Sequence, residues 1–367
     1  MWSTAFSRQA DVSALAFATG YAANVAFWSS VPQEGDVIFF DELIHASVHD
    51  GFRLGRATRG SATTTKFPHN DLAALRSLLD HDAVTQRNKP HTIFIAVESL
   101  YSMDGDTAPI ADILELLAPY GPRAKLIVDE AHAVGVFNRG LSMPPYVLPE
   151  DASRVFARTI TFGKALGVAG AALIVPEYVK QFLVNYGRPF VFSTAPAVFN
   201  ILAVQCALDT LEDGRALVVS YILPARCFLE LTRLQLAQRL QSNIRFLLLQ
   251  LHQQLADTPT SIIYLPVPAP GPQDDIDSAV ELSPIIPLLT PQPHALSAHL
   301  RARFGVVARP IAWPTVPKGR ERIRVCVTAG HTLDELLQLA RGVGDWTRSH
   351  ADDGLPVGTM AQLRSRL

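Results

Sequence analysis

A chain of 367 residues, 48% hydrophobic and 18% charged, can bury a substantial core and is long enough for two domains. Its 32 basic and 34 acidic residues leave a formal net charge of −2, and without a long basic block there is no electrostatic case for nucleic acid or an anionic membrane as partner. Three widely spaced cysteines, Cys206, Cys227 and Cys326, offer neither a disulfide framework nor a metal-ligand motif and fit a reducing compartment.

The opening residues MWSTAFSRQADVSALAFATG have an apolar middle but carry Asp11 and little positive charge ahead of it, which argues against a secretory leader. No apolar run approaches the ~18 residues of a membrane span. Short apolar runs then alternate with helix-like segments through the first two hundred residues. DVIFF (36–40), HTIFIAVE (91–98), KLIVDE (125–130), RTITF (158–162) and AALIV (171–175) read as buried strands, and NDLAALRSLLD (70–80) and IADILELLAPY (110–120) as helices. This rhythm predicts an α/β fold with a mostly parallel, doubly wound sheet covered on both faces.

Beyond Pro196 the texture changes. Long amphipathic helices are predicted over 199–214 and 222–257, followed by a Pro-rich exposed loop over 265–284. SPIIPLLT, the helix PHALSAHLRARFG and the strand RIRVCVTA then make a smaller α/β unit. The division expected is a large domain over 1–212, a small C-terminal domain over 213–345 and a tail over 346–367. The tail ends in Ser365-Arg366-Leu367, a close variant of a peroxisomal address, so peroxisome or cytoplasm is the expected location.

In sheets of this kind ligands sit at the carboxyl ends of the strands, and the polar residues there are Glu98 and Ser102, Asp129 and His132, and Thr161 and Lys164. Lys164, in TFGKALG, is either a surface lysine on a turn or an amine kept neutral and nucleophilic by burial. Asp129 is either a helix N-cap or a carboxylate that needs a cation or strong donor. A pyridinium nitrogen is such a donor. With Lys164 as covalent anchor and the small residues Gly163, Ala165 and Gly167 leaving room for a flat ring, the set suits pyridoxal 5′-phosphate. Thr161 and the glycine turn Thr19-Gly20-Tyr21-Ala22 offer donors to its phosphate. His45, in DELIHASVHDG, is either an ordinary loop histidine or a plane to lie over the ring. Arg322 and Arg324 alternate along one strand, so spacing alone does not choose which of them grips a carboxylate.

The motifs GYAAN, DELIHASVHDG, FPHNDLAAL, VESLYSMDGD, LIVDEAHAVGV, TFGKALG, FSTA and PTVPKGRERIRVCVTAGHT together resemble the α-oxoamine synthase family of fold-type I pyridoxal-phosphate enzymes, in family order from about Gly20 to His331. The resemblance implies that Lys164 anchors the cofactor and moves the proton, that Asp129 faces the ring nitrogen, that His45 stacks on the ring, and that His132 and Ser102 bind the phenolic oxygen. It makes Thr161, Gly20 and Tyr21 phosphate ligands, and Glu98 and Arg324 neighbours of the amino-acid substrate. Thr194 would reach the cofactor phosphate of a neighbouring subunit, which implies a homodimer with composite sites.

The implied reaction is acyl transfer: an amino acid, alanine in the biotin branch that TFGKALGVAGAAL resembles, condenses with an acyl-CoA such as pimeloyl-CoA and loses CoA and CO2. Other members use glycine or serine or serve secondary metabolism, and some relatives are non-catalytic partner subunits; the presence of Lys164 argues against the last. Family members carry a further stretch ahead of GYAAN; its absence here fits a fragment, a product that folds poorly or a natural variant with altered acyl specificity, and exposed apolar surface is expected where that stretch packs.

Overall fold

The structure, a computed structural model, describes residues 12–55, 63–85, 91–137, 153–212, 216–219, 228–231, 233–271 and 281–350; the segment Ser365-Arg366-Leu367 lies outside them. The chain forms two compact units, Met1–Tyr101 with Asp106–Asp213, and Ser102–Gly105 with Gly214–Leu367.

The first unit is built on a seven-stranded sheet: β1 (Val12–Phe17), β2 (Val37–Asp41), β3 (Thr63–Phe67), β4 (Ile93–Glu98), β5 (Ala124–Asp129), β6 (Ala157–Thr161) and β7 (Ala171–Pro176), in the order β1-β7-β6-β5-β4-β2-β3. Strands β3, β2, β4, β5 and β6 run parallel, whereas β7 is antiparallel to both β6 and β1. Every residue of β2 and β4 is buried, which is why their sequences read as unbroken apolar runs: a parallel sheet is covered on both faces.

Two strands of this sheet escaped the sequence reading. VSALAF is not merely the apolar middle of a leader-like start; it is the edge strand β1, paired residue for residue with β7. TTTKF is the opposite edge, β3, held by β2.

Helix α1 (Gly20–Ser30) is buried from Ala23 to Ser30, because it packs both on the sheet and on α2 (Ala46–Leu54). Thr19 caps α1 by accepting from the Ala22 N–H at 3.0 Å. The two helices touch closely at Gly51, where an added Cβ would stand 2.5 Å from Trp28 Cβ. Trp28 in turn packs edge-on against Phe27, Phe52 and Phe94.

The second unit has a three-stranded antiparallel sheet, β10 (Ile285–Leu289), β12 (Arg322–Cys326) and β11 (Arg309–Ile311). The expected helix over 222–257 is corrected: helix begins at Arg233 and runs to Leu255, while FLEL (Phe228–Leu231) is a strand paired antiparallel with ALVV (Ala216–Val219). The valines of ALVV favour an extended pairing over helix, and FLEL follows them. The final helix, Leu333–His350, runs past the 345 boundary and buries Trp346 and Thr347.

Candidate active site

Parallel register decides which side chains can meet. Glu98 pairs with Asp129 and Asp129 with Thr159, so Glu98, Asp129 and Thr159 project from the same face of three neighbouring strands, and Thr161, two residues on, joins them. That row lies at the carboxyl ends of β4, β5 and β6. Helix α1 covers this face, and its first residue is Gly20.

Asp129 is 7% exposed. Its Oδ1 accepts from the Ala131 N–H at 2.9 Å and its Oδ2 from Asn24 Nδ2 at 2.7 Å. The remaining lone pairs can receive one more strong donor.

Glu98 is 4% exposed. Burial, followed by the neighbouring Asp129 charge, pushes its carboxyl well above the ordinary range, while the Lys164 ammonium and a hydrogen bond from the His45 backbone pull the other way. Glu98 therefore holds its proton more tightly than an ordinary glutamate.

Lys164 corrects the burial reading. It is exposed, on the turn between β6 and β7, where Gly167 and Gly170 adopt positive φ. The glycine-bearing turn carries the lysine to the open rim rather than into the core, and its charge still acts on Glu98.

His45 sits in the N-cap position of α2 and is exposed. Its Nδ1 accepts from the Ser47 backbone N–H at 3.2 Å and lies 2.8 Å from Ser47 Oγ. One edge of the ring is held while the ring remains open to a ligand.

The start of α1 lies beside the end of β6. A Cβ built on Gly20 would stand 3.5 Å from both Thr161 Cβ and Thr161 Oγ1, an ordinary contact distance, so the helix N-terminus lies beside that hydroxyl. Backbone N–H groups and the dipole there favour an anion. Tyr21 follows at the surface, its hydroxyl donating to Asp50. His132 is half-buried in the turn after β5. Thr194 is exposed in the segment 192–197, beside the exposed apolar residues Phe192, Val198 and Phe199.

Ser102 and Arg324 belong to the second unit, where Arg324 Nη1 donates to the Ser102 carbonyl at 3.0 Å. Arg322 is 1% exposed and engaged through two nitrogens: Nε donates to the Arg320 carbonyl, and Nη1 to the Met103 carbonyl and to Asp104 Oδ1. Arg324 differs. Its buried Nε has no partner among the described residues, which is what a guanidinium awaiting a carboxylate looks like.

Several groups went unnoticed in the sequence. Asn24 and Ser47 underlie Asp129 and His45, and Thr159 donates to Asn24 Oδ1 at 2.7 Å. Asn24 stands out in retrospect as the polar residue within the apolar stretch AANVAF. A second cluster joins His69 to Asp41 and Asp106 near the carboxyl end of β2. Among the described residues no group of histidine, cysteine and carboxylate side chains could hold a metal, and no helix is long and apolar enough to cross a membrane.

A carboxylate with lone pairs to spare, an exposed imidazole, a lysine at the rim and a helix N-terminus beside a threonine hydroxyl fit a flat, phosphorylated heterocycle. The comparisons agree. The sequence profile of the aminotransferase class I and II family matches residues 5–343. The chain is 36% identical over 344 residues to an 8-amino-7-oxononanoate synthase of Emericella nidulans, covering 91% of this chain and 74% of the relative. It is 31% identical to the aminoacyl transferase sphA of Aspergillus fumigatus, covering 92% and 68%.

Among solved structures, the serine palmitoyltransferase of Sphingomonas wittichii shares the fold with a TM-score of 0.70 at 22% identity, covering 95% of this chain and 75% of that one. The 8-amino-7-oxononanoate synthase of Francisella tularensis does so with a TM-score of 0.63 at 20% identity, covering 92% and 83%. The chain belongs to the aminotransferase class I and II family, in its α-oxoamine synthase branch, a group of pyridoxal-phosphate-dependent acyltransferases.

Proposed function

We propose that the protein binds pyridoxal 5′-phosphate and condenses an amino acid, alanine first, with an acyl-CoA of the pimeloyl type, releasing CoA and CO2 to give 8-amino-7-oxononanoate. The observation that carries this reading is the row Glu98, Asp129 and Thr161 on one face of adjacent strands, with Lys164 on the turn that follows. When bound, the cofactor withdraws electrons from the α-carbon of an attached amino acid.

The chain's own groups supply the rest. Asp129 faces the ring nitrogen and keeps its proton in place. Thr161 and the backbone N–H groups at Gly20 and Tyr21 hold the phosphate, and the His45 ring lies against the heterocycle. His132 and Ser102 bind the phenolic oxygen. The Lys164 amine holds the cofactor covalently in the resting enzyme, then accepts the α-proton of the substrate. Arg324, through its uncommitted Nε edge, takes the substrate carboxylate, and Glu98 is the acidic neighbour of the amino-acid substrate.

Exposed Val191, Phe192, Val198, Phe199 and Leu202 flank Thr194. An apolar surface of this kind calls for a partner, and a second copy of the chain would bury it while delivering Thr194 to the neighbouring cofactor phosphate. Phe199→Asp is then expected to yield monomers in sedimentation; an unchanged dimer would place the interface elsewhere.

Borohydride reduction after incubation with pyridoxal 5′-phosphate, followed by peptide mass spectrometry, tests the anchor: the adduct is expected on Lys164, and an adduct elsewhere or none refutes it. Competition among alanine, glycine and serine with pimeloyl-CoA tests the substrate. A strong preference for glycine or serine would move the chain to another α-oxoamine synthase activity.

A further inference from the structure

We propose that Asn24 is a positioning residue that ties Asp129 and His45 into one hydrogen-bonded unit, and that cofactor affinity depends on it through the ring nitrogen. This rests on the cofactor reading above. The geometry leaves little freedom in the assignment. Asn24 is 3% exposed and lies on α1, over the sheet face that carries Asp129 and Thr159.

Its Nδ2 donates one hydrogen to Asp129 Oδ2 at 2.7 Å and the other to Ser47 Oγ at 3.0 Å. Its Oδ1 accepts from Thr159 Oγ1 at 2.7 Å. Turning the amide over would set its oxygen against the carboxylate of Asp129, so the orientation is fixed by the neighbours.

The direction of the chain follows. Because Ser47 Oγ accepts from Asn24, its own hydrogen is free to go to His45 Nδ1, 2.8 Å away, which also accepts from the Ser47 backbone N–H. His45 Nδ1 is thus an acceptor, and its ring hydrogen sits on Nε2, turned away from Ser47. The carboxylate at one side of the site and the imidazole at the other are oriented by the same amide. A helix rather than a loop supplies that amide, and the helix is buried against the sheet and α2, so the two groups share one rigid support.

A residue that merely fills space would affect any ring equally. The test therefore compares pyridoxal 5′-phosphate with its 1-deaza analogue, which has the same shape and phosphate but no ring nitrogen. Dissociation constants are measured by absorbance titration on wild type, Asn24→Ala and Thr159→Val, with apo-protein melting as a folding control.

Asn24→Ala is expected to weaken pyridoxal 5′-phosphate by about 10- to 100-fold, the range for a hydrogen bond to a charged group, and to weaken the deaza analogue much less. Thr159→Val, which frees the amide oxygen but leaves the amide in place, is expected to show the same ring-nitrogen dependence with a smaller loss, and serves if Asn24→Ala fails to fold. Equal losses for both ligands, or no loss, would overturn the inference while leaving the cofactor reading intact. If wild type binds neither ligand, the cofactor reading fails and the inference falls with it.

Discussion

His69 offers a test of how the rim beside the site is held. Asp41, the last residue of β2, is fully buried; His69 Nδ1 lies 2.9 Å from its Oδ1, and Nε2 lies 2.7 Å from Asp106 Oδ2. With a carboxylate at each ring nitrogen, both nitrogens must donate, so the ring is an imidazolium. Burial opposes the charge, but the hydrogen bonds to Asp106 and Asp41 outweigh it and raise the pKa to about 10.

The linkage has a definite sign. An ordinary histidine near 6.5 in the unfolded chain and about 10 in the fold adds stability that is complete below pH 6.5 and disappears as pH rises through 10. That separation corresponds to roughly 5 kcal/mol at full effect. Asp106 is 44% exposed, so solvent screening brings the expected contribution down to about 2–3 kcal/mol.

Replacing His69 by Gln keeps a donor but removes the charge. Urea unfolding of the apo protein is expected to show the variant about 2–3 kcal/mol less stable at pH 6, with the gap closing toward pH 10. Asp41 keeps backbone N–H donors from Leu43 and Asn70, so the variant should still fold. A gap that stays constant from pH 6 to pH 10 would refute the imidazolium.

The two arginines of β12 should separate cleanly: Arg324→Lys is expected to raise KM for the amino acid by about 10- to 100-fold with unchanged melting, whereas Arg322→Met, which strands buried contacts around Asp104, should lower stability by about 3 kcal/mol. Steady-state kinetics and urea midpoints check the pair, and a reversed pattern would reassign them. Gly51→Ala forces a methyl to 2.5 Å from Trp28 Cβ and 3.3 Å from the Asn24 carbonyl, so it should lose about 1–3 kcal/mol by denaturation and weaken cofactor binding through α1; a neutral result would mean that the helices separate freely. Glu98→Gln removes a carboxyl whose ionisation burial and Asp129 oppose. The wild-type penalty grows as pH rises above the unfolded value, so the variant should match wild type near pH 4.5 and be the more stable at pH 8; lower stability at pH 8 would contradict the upward shift of Glu98.

What could be read from the sequence follows from how much each strand is covered. β2 and β4 are buried on both faces, so their composition alone marks them. The edges do not announce themselves in that way: TTTKF is polar for a strand, and only its threonines hint at extension. FLEL was absorbed into the following helix because its apolar spacing suits either state; the pairing with ALVV that decides it is a tertiary fact. At the site, Glu98, Asp129 and Thr161 were legible because each polar residue ends an apolar run, which is where a parallel sheet exposes its ligands. The order of elements locates Lys164, but the sequence leaves its exposure open, since a glycine-rich turn can pass through a core or project from it.

Asn24 shows why the remainder was hidden. Helix α1 is wedged between sheet and helix, so apolar residues surround it on every side, and a lone asparagine there carries a desolvation cost that only a full set of partners removes. Those partners, Asp129, Ser47 and Thr159, lie 105, 23 and 135 residues away, beyond the reach of any periodicity. The sequence still holds a trace of them, because a buried polar residue in an otherwise consistent apolar helix contradicts the local pattern, and such contradictions persist where function needs them. Asn24 is a poor choice for an isolated buried helix and a good one for a helix whose second turn orients a carboxylate.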